Sequence, residues 1–229
     1  MKMETDYDLC RSGIAELGLG FTENQHGQLE KYLSELTLWN PVYRLVNAEG
    51  RDIVIRHLLD SLAAVPILRS LLDESPAGSR EVCDVGSGPG LPGIPLAIAM
   101  PDVRFTLIER MGRRADFLAN ALAACSLDGR VNVVQRDINE IRGKFPVVTF
   151  RAFHPLPDII EPVSRLLDDG GTICAYKSRE ENVALELERI TEMTKTGKSG
   201  SESGWKSKLI SIHIPYLDAI RTLCLLSRA

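Results

Sequence analysis

The sequence has no apolar run near the ~18 residues that a bilayer-spanning helix needs. The longest, Leu91 to Met100, is interrupted by Pro92, Gly93 and Pro95, so no membrane span is expected. The opening Met-Lys-Met-Glu-Thr-Asp-Tyr-Asp lacks the basic-then-apolar order of a secretory signal, and a cytoplasmic protein is the expectation. Cysteines are few and scattered: Cys10, Cys83, Cys125, Cys174 and Cys224 are an odd number with no CxxC pair. That pattern indicates neither a disulfide framework nor a zinc site and suits small buried apolar residues. Of the histidines, His26, His154 and His213 form no cluster with metal-ligand spacing, so no metal is expected. A basic excess is missing too. With 27 Lys+Arg against 31 Asp+Glu the formal charge is −4, which counts against a generic polyanion binder and leaves room for a local basic patch.

What is present reads as an ordinary globular chain of 229 residues, 44% hydrophobic and 25% charged. Residues 1–78 read as a helical extension. Thr22-Glu-Asn-Gln25 has capping-box spacing ahead of Leu29, Tyr32, Leu33, Leu36 and Trp39, which predicts a helix from Thr22 to about Trp39, ended by Asn40-Pro41. A second helix is expected from Asp52 to about Leu72, bent at Pro66. Residues 79–229 change texture to short apolar runs alternating with helical patterns. Strands are expected at Glu81–Val85, Val103–Glu109, Val131–Gln135, Val147–Phe150 and Thr172–Lys177, with helices between them. That alternation belongs to a parallel sheet covered on both faces, an α/β fold. The Gly/Ser-rich stretch from Thr194 to Gly204 predicts a loop, and the runs Leu209–Ile214 and Ala219–Leu226 a closing antiparallel hairpin.

The densest chemical signal is Asp84-Val-Gly86-Ser-Gly88-Pro-Gly90-Leu91-Pro-Gly93, between a predicted strand and helix. Glycines there allow a ligand to approach the backbone closely, and GxGxxG fits at Gly88, Gly90 and Gly93, so the pattern alone leaves dinucleotides open. The acids are more selective. Asp84 precedes the first glycine, where a carboxylate repels a pyrophosphate but holds an ammonium, directly or through water. Pro89 and Pro92 remove amide donors that a phosphate needs. Glu109, about 20 residues beyond the glycines, is placed to accept hydrogen bonds from ribose hydroxyls. An adenosyl ribose joined to an amino acid, without phosphate, describes S-adenosylmethionine.

Four segments taken in order carry a closer resemblance: Arg56-His57-Leu-Leu-Asp60-Ser61, Asp84 to Leu96, Gly112-Arg-Arg114 and Phe150-Arg151-Ala152-Phe153. Together they resemble the bacterial small-subunit (16S) rRNA guanine-N7 methyltransferase family, also called the glucose-inhibited division protein B family, over nearly the whole chain. The resemblance implies a class I S-adenosylmethionine-dependent methyltransferase fold, a Rossmann-like seven-stranded sheet whose last pair is antiparallel, behind the helical extension. It also implies a methyl transfer to N7 of a guanine in 16S rRNA or the small ribosomal subunit. Gly86 and Leu91 would then line the methionine and adenosine side of the cofactor, Ile138 and Asn139 would meet the adenine, and Arg151 would reach the cofactor region. Relatives in the family carry Val-Glu or Ala-Glu at Ile138-Asn139, Tyr-Asn-Leu-Thr where this chain has Tyr43-Arg44-Leu45-Val46, and Gly at Ser178.

Guanine N7 has a lone pair and no proton, so its methylation needs no general base and no covalent nucleophile. Holding the two reactants in line is sufficient chemistry. Phe150-Arg-Ala-Phe153 stands where exocyclic-amine methylases carry Asn/Asp-Pro-Pro-Tyr, and no cysteine occupies that loop for C5 chemistry. The positioning candidates are Arg151, Phe153 and Lys177. RNA contacts are expected from Arg113, Arg114, Lys177 and Arg179, with Arg110 and Arg151 also near predicted strand ends. His57 and Asp60, three apart on a helix, read equally as a structural salt bridge. The loop Thr194 to Lys208, with four lysines and one glutamate, reads as solvated and open to phosphate contact. A small-molecule methyltransferase of the same fold, and a non-catalytic RNA-binding factor keeping a nucleoside pocket, are the alternative readings. A monomer is expected.

Overall fold

The computed structural model describes residues 5–75, 78–177, 180–199 and 204–229; Ser178 and Arg179, both singled out from the sequence, lie outside the described residues. Seven strands form one sheet in the order β3-β2-β1-β4-β5-β7-β6. They are β1 (Glu81–Val85), β2 (Arg104–Ile108), β3 (Val131–Val134), β4 (Phe145–Arg151), β5 (Leu167–Lys177), β6 (Trp205–Ile212) and β7 (Arg221–Arg228). β1 to β5 run parallel, while β7 enters antiparallel between β5 and β6. Central strands such as Val82-Cys-Asp-Val85 are buried along their length because helices cover both faces of the sheet. The expected α/β architecture with its terminal antiparallel pair is present. β6 begins at Trp205, several residues before the predicted run, so the loop expected through Lys208 is partly strand.

The helices are α1 (Asp6–Glu16), α2 (Glu23–Tyr43), α3 (Arg51–Ile53), a π-helical stretch (Val54–Leu59), α4 (Asp60–Leu62), α5 (Val65–Asp73), α6 (Gly93–Ala99), α7 (Gly112–Cys125), α8 (Leu156–Ser164) and α9 (Glu180–Lys195). Both α1 and α2 begin with full capping boxes, Thr5 with Asp8 and Thr22 with Gln25. Asn40-Pro41 does not end α2, which runs on to Tyr43 and stops at Arg44 in the left-handed region. Pro41 lacks the N–H of its own turn, yet the Arg44 N–H still closes the last turn on the Asn40 carbonyl at 2.8 Å. Asn40 instead shapes the connection beyond the helix, accepting from Val46 N and donating to Ala48 O. The predicted single helix Asp52–Leu72 is broken by the π-helical stretch and by a turn before Val65.

One apolar cluster runs from Leu9, Leu29 and Tyr32 in the N-terminal helices through Leu118 of α7 to Phe105 and Val147 of the sheet, so the extension and the sheet share a core. A second cluster, with Val148, Phe150, Ile160 and Ile173, fills the other face beneath α8 and α9. The chain reverses its winding between β1 and β4, and the crevice beyond the carboxyl ends of β1, β2 and β4 is where such sheets bind ligands. Among the described residues, no helix is long and apolar enough to cross a membrane.

Candidate functional site

Two cavities open at that crevice. The smaller, about 460 Å³, is lined by Ile108, Glu109, Met111, Ile138, Asn139 and Ile159 among others. The larger, about 730 Å³, takes residues from the whole length of the chain, from Leu45 and His57 through Leu91 and Arg151 to Lys177 and Arg221. They meet at Gly86, Arg114, Ala152, Phe153 and His154, which line both.

The glycine loop makes that junction possible. Gly86 has φ +66°, and a Cβ there would stand 2.2 Å from the Phe153 ring, so no larger residue fits. Gly90, at φ +92°, serves the turn itself: a Cβ there would meet Ile94 at 2.5 Å, and Gly90 lines neither cavity. Gly88 and Leu91 line the larger cavity. Behind the loop, the buried Tyr32 donates to Pro89 O at 2.8 Å.

Glu109 follows β2, is 4% exposed and faces the smaller cavity. Its two oxygens each accept one backbone N–H, Oε2 from Gly88 at 2.9 Å and Oε1 from Met111 at 2.8 Å. A carboxylate has about four lone-pair sites, so two remain for ligand hydroxyls. The side chain is thereby fixed between the glycine loop and the start of α7.

Asp84 is placed otherwise than the sequence suggests. Its carboxyl is fully buried under the loop, lines neither cavity, and accepts from Gly93 N at 3.0 Å through Oδ2, while Oδ1 has no hydrogen-bond partner among the described residues. Burial pushes it up to about 7, against the lowering influence of the Ser87 hydroxyl and then the Gly93 N–H. Gly93 approaches β1 tightly: a Cβ there would lie 2.6 Å from Asp84 Oδ2. Asp84 holds the first turn of α6 through Gly93 N.

The larger cavity is bounded by a charge cluster that the sequence does not reveal. Arg151 Nη1 donates to Asp60 Oδ2 at 2.8 Å and to Arg56 O at 2.9 Å, and its Nη2 meets His57 Nδ1 at 2.9 Å. Arg221 Nε donates to the other Asp60 oxygen at 3.2 Å. The salt bridge considered between His57 and Asp60 is absent; both face Arg151 instead. The π-helical turn before Asp60 carries His57 and Asp60 toward the sheet, and such turns recur at functional sites. Nothing in the sequence points to Arg221, which lies 161 positions from Asp60 at the start of an apolar strand. The other cations of this wall are also paired: Lys177 with Glu186 at 2.6 Å, Arg56 with Asp52 at 3.4 Å, and Arg114 with Glu109 at 4.0 Å.

Of the remaining candidates, Ile138 and Asn139 form a short 3-10 turn on the smaller cavity, capped by Asp137, whose side chain accepts from Asn139 N. Phe153 lies against Gly86 after Ala152, which has φ +50°. Arg113 is exposed and lines neither cavity. Arg179 is outside the described residues. All five cysteines are buried, and among the described residues no group of three His, Cys, Asp or Glu is arranged to hold a metal.

The family model GidB, described as rRNA small subunit methyltransferase G, matches residues 25–205. The chain is 36% identical to the ribosomal RNA small subunit methyltransferase G of Cupriavidus pinatubonensis over 225 residues, 95% of this chain and 92% of that one. It is 30% identical to the protein of the same name in Escherichia coli, covering 93% of this chain and 94% of that one. Among solved structures it resembles a magnesium protoporphyrin IX methyltransferase of Synechocystis with bound SAM, at TM-score 0.56 and 10% identity over 86% of this chain and 97% of that one. A tRNA methyltransferase of Aquifex aeolicus matches at TM-score 0.53 and 13% identity, covering 75% and 69%. At such identities these two likenesses concern the fold.

Proposed function

Since the chain belongs to the rRNA small subunit methyltransferase G family, we propose that it transfers the methyl group of S-adenosylmethionine to N7 of a guanine in 16S rRNA. The observation that carries this reading is the pair of cavities meeting at Gly86, one suited to a nucleoside and one open to a base.

The smaller cavity fits an adenosyl group. Glu109 would accept from the ribose hydroxyls through its remaining lone pairs, and Ile138 and Asn139 would flank the adenine with an apolar side chain and a backbone turn. Gly86 and Leu91 would admit the methionine part close to the backbone. When bound, the cofactor supplies a methyl group on a good leaving group.

The chain's own task is positioning. Arg151 at the end of β4 and Phe153 just beyond it would hold the base at the junction, with Lys177 at the end of β5. Near-attack alignment of this kind is worth up to ~7–11 kcal/mol. No side chain has to remove a proton. The purine gains positive charge during transfer, and a wall whose cations are each paired with a carboxylate adds little repulsion to it. Arg114 at the mouth and the exposed Arg113 and Arg110 beside it would meet RNA phosphates. A monomer, with residues 79–229 as catalytic domain and 1–78 as its extension, completes the proposal.

The test is transfer of labelled methyl from S-adenosylmethionine to small-subunit RNA, with chemical mapping of 7-methylguanine. One modified guanine is the expected result. Methylation of small molecules only, or tight cofactor binding with no transfer to RNA, would overturn it.

A further inference from the structure

His57 sits in the wall of the larger cavity, on the π-helical stretch Val54–Leu59. Its contact with Arg151 fixes its tautomer. A guanidinium has donors only, so at 2.9 Å His57 Nδ1 must be the acceptor and the ring proton must reside on Nε2. Burial above all, and then the charges of Arg151 and Arg56, lower this imidazole to about 4, so it is neutral near pH 7. Nε2 makes no hydrogen bond to any described residue and is not among the enclosed unpartnered atoms, so its N–H is open to the cavity.

The rest of the wall makes this donor distinctive. Arg151, Lys177 and Arg221 are each committed to a carboxylate, and Arg56 and Arg114 lie 3.4 and 4.0 Å from one. Of the neutral donors, Tyr176 is spent on Ser61 O and Ser87 on Asp84 O. Asn47 and His154 also line this cavity, but both are exposed and neither is fixed as a donor: an amide turns to offer a donor or an acceptor, and a neutral imidazole carries one of each. His57 alone among these is neutral, locked as a donor and unoccupied.

We propose that His57 reads the O6 edge of the target base, its Nε2–H donating to the guanine oxygen that neighbours N7. The inference rests on the guanine-N7 reading above. An adenine would present its N6 amino group there, donor against donor, and would be rejected. A neutral donor also suits the reaction better than a cation, because alkylation at N7 leaves the purine positively charged.

The test is a cycle of two enzymes and two RNAs. The wild type and His57→Phe are compared on substrate RNA carrying guanine or 2-aminopurine at the target; 2-aminopurine keeps N7 and lacks O6. Each single change should lower kcat/KM on the order of tenfold, the scale of one neutral hydrogen bond. The double change should cost no more than either alone. His57→Gln, which keeps an N–H near the position of Nε2, should recover most of the loss. Losses that multiply would overturn the inference and leave His57 a structural support of Arg151. Equal turnover of both RNAs by the wild type would overturn it too, whatever becomes of the variants. A wild type that methylates neither RNA would overturn the guanine-N7 reading itself, and the inference with it.

Discussion

Tyr32 and Pro89 are joined across 57 positions by one hydrogen bond, the phenol of α2 donating at 2.8 Å to a carbonyl in the glycine loop. The ring is fully buried, and burial raises its hydroxyl well above the ordinary tyrosine value, so it stays a donor. The helical extension thus braces the glycine loop.

Tyr32→Phe removes that donor and leaves the Pro89 carbonyl unpaired in the core. A loss of about 1–3 kcal/mol in unfolding free energy is expected. Cofactor affinity should weaken as well, because the loop loses its brace. Chemical denaturation and calorimetry with S-adenosylmethionine check both; unchanged affinity in a folded variant would detach the extension from the loop.

Glu109→Ala takes away the acceptor shared by Gly88 N and Met111 N. The cofactor should bind more weakly by at least ~1 kcal/mol, about fivefold in Kd. Glu109→Gln should fall less, since an amide oxygen still accepts one of those bonds. Equal binding by all three proteins would remove Glu109 from the site.

Asp60→Ala strands two guanidiniums, with Arg151 at 13% and Arg221 at 26% side-chain exposure. Breaking such a pair from one side costs about 3 kcal/mol, the lower end of the buried range because Arg221 retains some water. RNA methylation should fall more than cofactor binding, as the larger cavity loses its wall. Thermal unfolding and the split between cofactor Kd and turnover are the measurements.

Asp84 predicts a pH effect of opposite sign to that of an ordinary surface acid. An unfolded aspartate ionises near ~3.9, whereas the folded one is held up to about 7 by burial. Between these values the folded chain keeps a proton that the unfolded chain has lost, so Asp84 lowers stability as pH rises through this window. Asp84→Asn keeps an oxygen for Gly93 N and removes the titration. Its melting temperature should gain on the wild type between pH 5 and pH 8; parallel curves would place the ionisation elsewhere.

His57 works from the acid side. Its folded value of about 4 lies below the ~6.5 of a free imidazole, so stability is fully present above ~6.5 and is lost as pH falls toward 4. His57→Gln should flatten that acid limb of a pH series of melting curves.

The elements are legible wherever period and punctuation agree. Thr22 with Gln25, the alternating strands and the glycine loop with Glu109 all stand where local chemistry puts them. The failures are of another kind. Pro41 inside α2 misleads because a proline near a helix end costs only one hydrogen bond. The Asp60–Arg151–Arg221 cluster joins residues 91 and 161 positions apart, and no spacing rule connects them. Asp84 stands out in the sequence as special, but which way its carboxyl turns depends on the closeness of Gly93.

The make-up of the two cavities also orders events in time. The smaller is drawn entirely from residues between Val85 and Pro162, whereas the larger is incomplete without Arg221 on the seventh strand. During synthesis, then, every side chain of the smaller cavity leaves the ribosome well before the last wall of the larger one. The larger cavity has its full wall only once the final hairpin has docked.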